Sequence, residues 1–262
     1  RMAPFILRRT KSEVAKELPD KNDIVKMIDL NDRQAHVYES IRLTMVDEIK
    51  QAFKDHQGNQ ILIGNALLRL RQVCCHPSLV NLESVDKTAP SAKLDWLMTA
   101  IPNLVEEGRR ILVFSSFTGM LSLIEEQLSS IDIPYFSLTG KTPAKQRTLD
   151  IKRFQNEEVP VYLISLKAGG AGINLTAADT VIHYDPWWNP AAEQQASDRA
   201  HRIGQEKQVF VYKLISRGTV EEKIYDMQQK KSELASQLLS ADNSGLNLNE
   251  HQWQDLLKPI SS

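Results

Sequence analysis

Gln195, Arg199 and Arg202 stand at i, i+4 and i+7 in the run Gln195-Ala-Ser-Asp-Arg-Ala-His-Arg202. On a helix of 3.6 residues per turn that spacing makes one stripe. Two guanidiniums and an amide form a poor core face and a good phosphate clamp, because Arg stays charged and presents a rigid fork to phosphate oxygens. The alternative is the solvated face of a surface helix, where charged stripes are common. The helix is predicted to start at Asn189, a side-chain cap followed by Pro190 at the first helical position, and to stop at Gly204. Trp187 and Trp188 precede it in an Asp-Pro…Asn-Pro frame, where solvation alone would not need them.

Three other loops carry possible chemistry. Ser165-Leu-Lys-Ala-Gly-Gly-Ala-Gly-Ile-Asn-Leu175 contains three glycines, which let backbone N–H groups approach a phosphate closely, or simply make a tight turn. In Phe114-Ser-Ser-Phe117 the short hydroxyls can bond a phosphate backbone, or Ser116 or Thr118 can cap a helix. Thr139-Gly-Lys-Thr142 shares its last three residues with the phosphate loop of ATPases. That loop needs a further glycine where Tyr135 stands, so the assignment is rejected. Lys141, Lys145 and Arg147 give this segment a basic flank or a solvated face.

The elements around these loops alternate from Arg109 onward. Apolar runs at Ile111–Phe114, Pro134–Leu138, Val161–Ser165, Val181–Tyr184 and Val209–Ile215 read as strands. Helices are expected around Leu121–Leu128, across Leu149, Ile151 and Phe154, and over the arginine segment. Short apolar strands separated by helices predict a parallel sheet with helices on both faces, whose ligands bind at the carboxyl ends of the strands. Every loop singled out above leaves such an end.

Residues 1–90 read as mostly helical. Phe5–Pro19 is a basic segment leading into a short helix, and Asn22–Asp29 is a candidate strand. Asn31 and Gln34 resemble a capping box. Tyr38, Ile41, Met45, Ile49 and Phe53 then keep helical spacing, Asp55–Asn59 is a turn, and a second helix carries Leu67, Leu70 and Val73 to Pro77. Ser84–Ser91 reads as a linker, and Ser91 opens a helix ending near Gly108. Thr219 and Glu222 form a capping box for a closing helix with an apolar stripe of Val220, Ile224, Met227, Leu234 and Leu238, which Lys231 interrupts. Asp242–Ser262 is polar and expected to be loosely ordered except around Trp253–Leu257.

Composition sets the bounds. The chain has 262 residues, 42% apolar and 25% charged, with 32 Lys and Arg against 33 Asp and Glu. That is ordinary for a globular protein, and near-neutral charge gives no global field for nucleic acid, so any DNA contact must be local. No apolar run reaches membrane-spanning length and no signal peptide is read. Arg1 is not a start residue, so the chain is expected to be cut from something longer. Cys74 and Cys75 are adjacent and followed by His76, without zinc spacing. They read as buried reduced thiols, and no metal is expected.

The run Asp185–Pro190 followed by Gln195–Gln205 resembles the last helicase motif of the Snf2 (Swi2/Snf2) family of DNA-stimulated ATPases. Leu7-Arg-Arg-Thr-Lys11 and the Arg-Gln-x-Cys-x-His-Pro pattern at residues 71–77 resemble segments flanking that family's protrusion. The resemblance implies an α/β, RecA-like second lobe of P-loop NTPase type, with a helical protrusion before it and a brace helix after it. Its divisions would be 1–90 for hinge and protrusion, 91–240 for the lobe with its brace, and 241–262 for a tail. It implies arginine fingers at Arg199 and Arg202, and nucleotide contacts at Gly170, Gly172, Asn174 and Gln195. It implies DNA contacts at Ser116, Thr139, Gly140, Lys141, Ser165, Lys167, Ala168, Gly169 and Trp188. No Gly-x-x-x-x-Gly-Lys-Thr/Ser loop and no Asp-Glu-x-His run occurs here. ATP and Mg2+ are therefore expected to act in the full-length motor, with neither held tightly by this chain alone. The expected partners are double-stranded DNA and the first ATPase lobe of the same polypeptide. The fragment is expected to be a monomer with no membrane contact, in a bacterial cytoplasm or nucleoid or a eukaryotic nucleus. Two other readings stay open. A self-contained Rossmann enzyme lacks its Gly-x-Gly-x-x-Gly after the first strand, and an interaction module built on the helical half would leave the arginines without a task.

Overall fold

The computed structural model describes residues 18–54, 60–83, 85–168, 173–237 and 254–260. Six strands form one sheet: β1 (Lys21–Ile28), β2 (Ile111–Ser115), β3 (Tyr135–Leu138), β4 (Val161–Ser165), β5 (Thr180–His183) and β6 (Val209–Ser216). Their order is β1-β6-β5-β2-β4-β3 and every pairing is parallel. The helices are α1 (Asp32–Lys54), α2 (Gln60–Cys75), α3 (Ala92–Glu106), α4 (Thr118–Ser130), α5 (Ala144–Gln155), α6 (Pro190–Ser197) and α7 (Val220–Gln237).

Both faces of the sheet are covered, as the apolar strand runs require. Ile111, Val113, Val161, Leu163 and Ile182 point toward Leu97 and Ile101 of α3 and Leu121, Ile124 and Leu128 of α4. Leu112, Phe114, Tyr162, Ile164 and Val181 point the other way, toward Phe154 of α5 and Ala196 of α6. The α/β parallel sheet with helices on both faces expected from the sequence is thus the observed one.

A third core lies outside the sheet. Tyr38, Ile41, Met45 and Ile49 of α1 meet Leu67, Leu70 and Val73 of α2, with Val220 and Ile224 of α7 and, from the chain's end, Leu256 and Leu257. The Tyr38 hydroxyl accepts the Val220 N–H at 2.8 Å, tying α7 to the helical pair. Each half of the Asn31–Gln34 capping box behaves differently. Asn31 caps the Gln34 N–H, but the buried Gln34 amide donates to the Val73 carbonyl and accepts the Ala92 N–H. The Thr219 hydroxyl accepts the Glu221 N–H, while Glu222 reaches back to the Gly218 N–H at 2.5 Å.

The candidate strand at Asn22–Asp29 joins the sheet edge beside β6, so the sheet takes strands from both sides of residue 90. Ser91, expected to end the linker and open the next helix, is buried and caps α3 through the Leu94 N–H. The expected segment Phe5–Pro19 up to residue 17, the turn Asp55–Asn59, and the stripe position Leu238 lie outside the described residues, as do the side chains of Phe53, Lys231 and Leu234.

Candidate functional site

The carboxyl ends of β5, β2, β4 and β3 are neighbours in the sheet. The segments that follow them, Tyr184–Pro190, Ser116–Phe117, Leu166–Ala168 and Thr139–Thr142, therefore line one edge, where ligands of parallel sheets bind.

The arginine segment differs from its expected form. Asn189 caps α6 through the Ala191 N–H with Pro190 next, as expected, but the helix ends at Ser197 rather than near Gly204. Beyond it the chain tightens into turns, with Ala200 N–H bonding the Ser197 carbonyl and Gln205 N–H the Arg202 carbonyl. The carbonyls of Arg199 and Ala200, which a longer helix would use, have other partners. The Leu175 N–H bonds the Arg199 carbonyl at 3.0 Å, and the Gln205 amide donates to the carbonyls of Thr176, Ala178 and Ala200. Gly204 has φ +99, a turn conformation that glycine adopts freely.

Gln195, Arg199 and Arg202 consequently do not form one stripe. Gln195 and Arg202 are exposed, whereas Arg199 is 7% exposed. Its guanidinium lies 5.9 Å from the Phe114 ring centroid, and Nε and Nη1 have no hydrogen-bond partner among the described residues. Burial, and then the nearby Arg147 charge, pull Arg199 below its ordinary pKa. Arg147 itself holds a buried Nε without a partner among the described residues.

His183 also packs on Phe114, with ring centroids 5.6 Å apart, and its Nε2 is 2.8 Å from the Ser197 hydroxyl. Burial, followed by the Lys213 charge, lowers its pKa to about 3, so it stands neutral beneath α6.

Ser116 is committed inside the protein. Its hydroxyl and its N–H both donate to the Asp185 carboxylate, which also accepts the Ser115 hydroxyl at 2.7 Å. Neither Ser116 nor Thr118 caps α4, whose N-cap is Phe117 without a side-chain bond. Arg71 on α2 completes the group by donating to Asp185, a partner the sequence reading missed. The available signal was a lone arginine on the apolar face made by Leu67, Leu70, Val73 and Cys74. Trp188 is half-buried, with the Arg71 guanidinium 5.7 Å from its ring.

The remaining candidates divide by exposure. Gly140, Lys141, Lys167 and Asn174 are exposed, and Thr139 is half-buried in a turn that its carbonyl closes with the Thr142 N–H. Ser165 and Ala168 are buried, so neither side chain presents itself at the edge. Gly169, Gly170 and Gly172 lie outside the described residues.

The orphaned nitrogens of Arg199 fit an oxyanion such as a nucleotide phosphate. No group of three His, Cys, Asp or Glu side chains that could hold a metal ion occurs among the described residues. Among the described residues, no helix is long and apolar enough to cross a membrane.

Comparison with known proteins matches residues 92–204 to the Helicase conserved C-terminal domain and residues 1–79 to the SNF2-related domain. The putative ATP-dependent helicase/translocase YwqA of Bacillus subtilis (strain 168) is 38% identical over 264 residues, covering 97% of this chain and 28% of that protein. The solved C-terminal domain of the Sulfolobus solfataricus SWI2/SNF2 ATPase superposes with TM-score 0.69 at 30% identity, covering 92% of this chain and 98% of that one. The core of that ATPase in complex with dsDNA superposes with TM-score 0.72 at 33% identity, covering 98% of this chain and 54% of that one. The chain spans about a fifth to a quarter of the length of curated relatives that it matches.

Proposed function

The chain belongs to the Snf2 (SWI2/SNF2) family of ATP-dependent helicases, and from that premise we propose that it is the second RecA-like lobe, with its helical protrusion, of a motor that translocates on double-stranded DNA. Residues 1–90 carry hinge and protrusion, with β1 lent to the sheet, 91–240 carry the lobe and brace, and 241–262 carry the tail. The observation that carries the reading is Arg199, a buried guanidinium over the Phe114 ring of β2 whose Nε and Nη1 lack partners among the described residues. A buried charge without a partner costs several kcal/mol, and a bound anion would offset that cost.

Arg199 and Arg202 act as arginine fingers toward the phosphates of a nucleotide held by the first lobe of the same polypeptide. Bound ATP supplies the phosphoanhydride whose cleavage drives the motor. Arg202 is exposed and ready to cross a cleft, whereas Arg199 must turn off the Phe114 ring to do so. Gly170, Gly172, Asn174 and Gln195 line the nucleotide side. The DNA side is Thr139, Gly140, Lys141, Lys167 and Gly169, with Ser116, Ser165, Ala168 and Trp188 shaping the edge from within. That the core of the Sulfolobus relative was solved in complex with dsDNA supports double-stranded DNA as the partner. Phosphoryl transfer rests on positioning and charge stabilisation, and this chain contributes the charge but no phosphate loop. The fragment acts as a monomer.

The test is a titration of a labelled duplex with the isolated chain at several salt concentrations, alongside an ATPase assay. Weak, sequence-indifferent binding with a shallow salt slope is expected, and Lys141→Ala and Lys167→Ala should each lower the log–log slope by about 0.9. No ATP turnover is expected, with or without DNA. Strong preference for one sequence, or DNA-stimulated turnover by the pure chain, overturns the reading.

A further inference from the structure

We propose that Arg71 is a positioning residue for the DNA-facing edge, holding the ends of β2 and β5 in register with the helical pair through Asp185. The proposal rests on the reading that this edge faces DNA. Arg71 is 3% exposed and cannot itself reach a ligand. Its Nη2 donates to Asp185 Oδ2 at 2.9 Å, to the Ser116 hydroxyl at 3.0 Å and to the Pro186 carbonyl at 3.0 Å. Its guanidinium carbon stands 5.2 Å from the Phe117 ring centroid and 5.7 Å from those of Trp187 and Trp188. One cation on α2 therefore touches the first residues after β2 and the first residues after β5, two neighbouring strands at the ligand edge.

Asp185 makes the connection rigid. Its carboxylate is fully buried and accepts from Arg71, from both serine hydroxyls and from the Ser116 N–H. Removing the cation leaves that carboxylate buried and unpaired, so the serine pair and the tryptophans lose their common anchor. Lysine restores the charge but neither the planar fork nor the stacking on three rings, which makes Arg71→Lys the informative variant.

The experiment measures thermal melting, duplex DNA affinity and the salt slope of binding on one set of preparations of this chain. Arg71→Lys should melt cooperatively, bind duplex about tenfold more weakly, and keep the wild-type salt slope, because no phosphate contact is lost. Asp185→Asn keeps the shape of the carboxylate and weakens the same pair. Its loss of affinity should be similar, and the double variant should lose less than the product of the two. If Arg71→Lys fails to fold, Asp185→Asn carries the same test. Wild-type affinity in a folded variant overturns the proposal, as does a slope reduced by about 0.9, which would make Arg71 a direct phosphate contact. If Lys141→Ala and Lys167→Ala change neither affinity nor slope, it is the DNA assignment of the edge that fails.

Discussion

Lys93 Nζ stands 2.5 Å from the Glu221 carboxylate, and neither side chain is exposed to solvent. The ammonium also donates to the carbonyls of Tyr184 and Leu214, at the ends of β5 and β6, while Glu221 accepts the Ser216 N–H. Burial is the largest single influence on Lys93 and pulls it down, but the charge and hydrogen bond of Glu221, with Cys75 and Cys74 beside it, together leave its pKa above the ordinary value. The first turns of α3 and α7 are thereby locked to the strand ends that precede Asp185 and Gly218.

Breaking this pair on one side should be costly. Lys93→Met leaves a buried carboxylate without its cation, and such losses run at about 3–5 kcal/mol. Chemical denaturation should show that loss in Lys93→Met, and recovery of part of it when Glu221→Gln is added. Strictly additive losses would show that the two groups do not compensate each other.

His183 should make the chain acid-sensitive. An unfolded chain protonates it near pH 6.5, whereas the native chain keeps it neutral down to about pH 3. The unfolded state therefore binds the extra proton between those values. Its contribution is fully present above about pH 6.5 and falls as pH drops through that window, by up to about 1.4 kcal/mol per pH unit. Denaturation of the wild type and His183→Gln between pH 7 and pH 4 isolates this term, since the carboxylates titrate alike in both. The variant should lose stability less steeply, and parallel curves would remove His183 from the account.

The fold was legible in the sequence because its signals are local. Ile111–Ser115 and Val161–Ser165 are buried at every position, and their unbroken apolar runs announced it. The arginine segment was misread for the opposite reason. Its capped start was local and correct, but beyond Ser197 the Leu175 N–H, which arrives from another loop, takes the Arg199 carbonyl. Periodicity cannot see such competitors for a helix's carbonyls. The same limit hid Arg71, whose partners Ser116 and Asp185 lie 45 and 114 positions away in sequence. The bonds from Ser116 to Asp185 were hidden in the same way.

Cys74 and Cys75 should be chemically silent in the folded chain. Both are buried free thiols with raised pKa values, by burial first and then by the charge of Glu221 for Cys74 and Asp185 for Cys75. A thiol reagent at pH 8 should find neither in native protein and both after denaturation in guanidinium. Rapid native labelling of either would place it at the surface and contradict the packing between α2 and the sheet.

Arg199 and Arg202 should separate by stability while agreeing in turnover. Both are assigned to the phosphates, and a finger can contribute about 10³–10⁵-fold in rate, so Arg199→Met and Arg202→Met should each abolish DNA-stimulated hydrolysis in a polypeptide that carries both lobes. Arg202→Lys should rescue poorly, because the ammonium keeps charge without the planar fork. Their resting environments differ. Arg202 is exposed, and its loss should leave melting unchanged within about 0.5 kcal/mol. Arg199 is buried over Phe114 beside the like charge of Arg147, with nitrogens unpartnered among the described residues. Methionine keeps the apolar stem and removes a charge whose burial is unfavourable, so Arg199→Met should melt no lower than wild type. A purely structural role predicts the reverse, a lower melting temperature with binding and turnover lost together. Melting, DNA affinity and turnover on the same preparations decide it, and normal turnover in either folded variant ends the finger assignment for that residue.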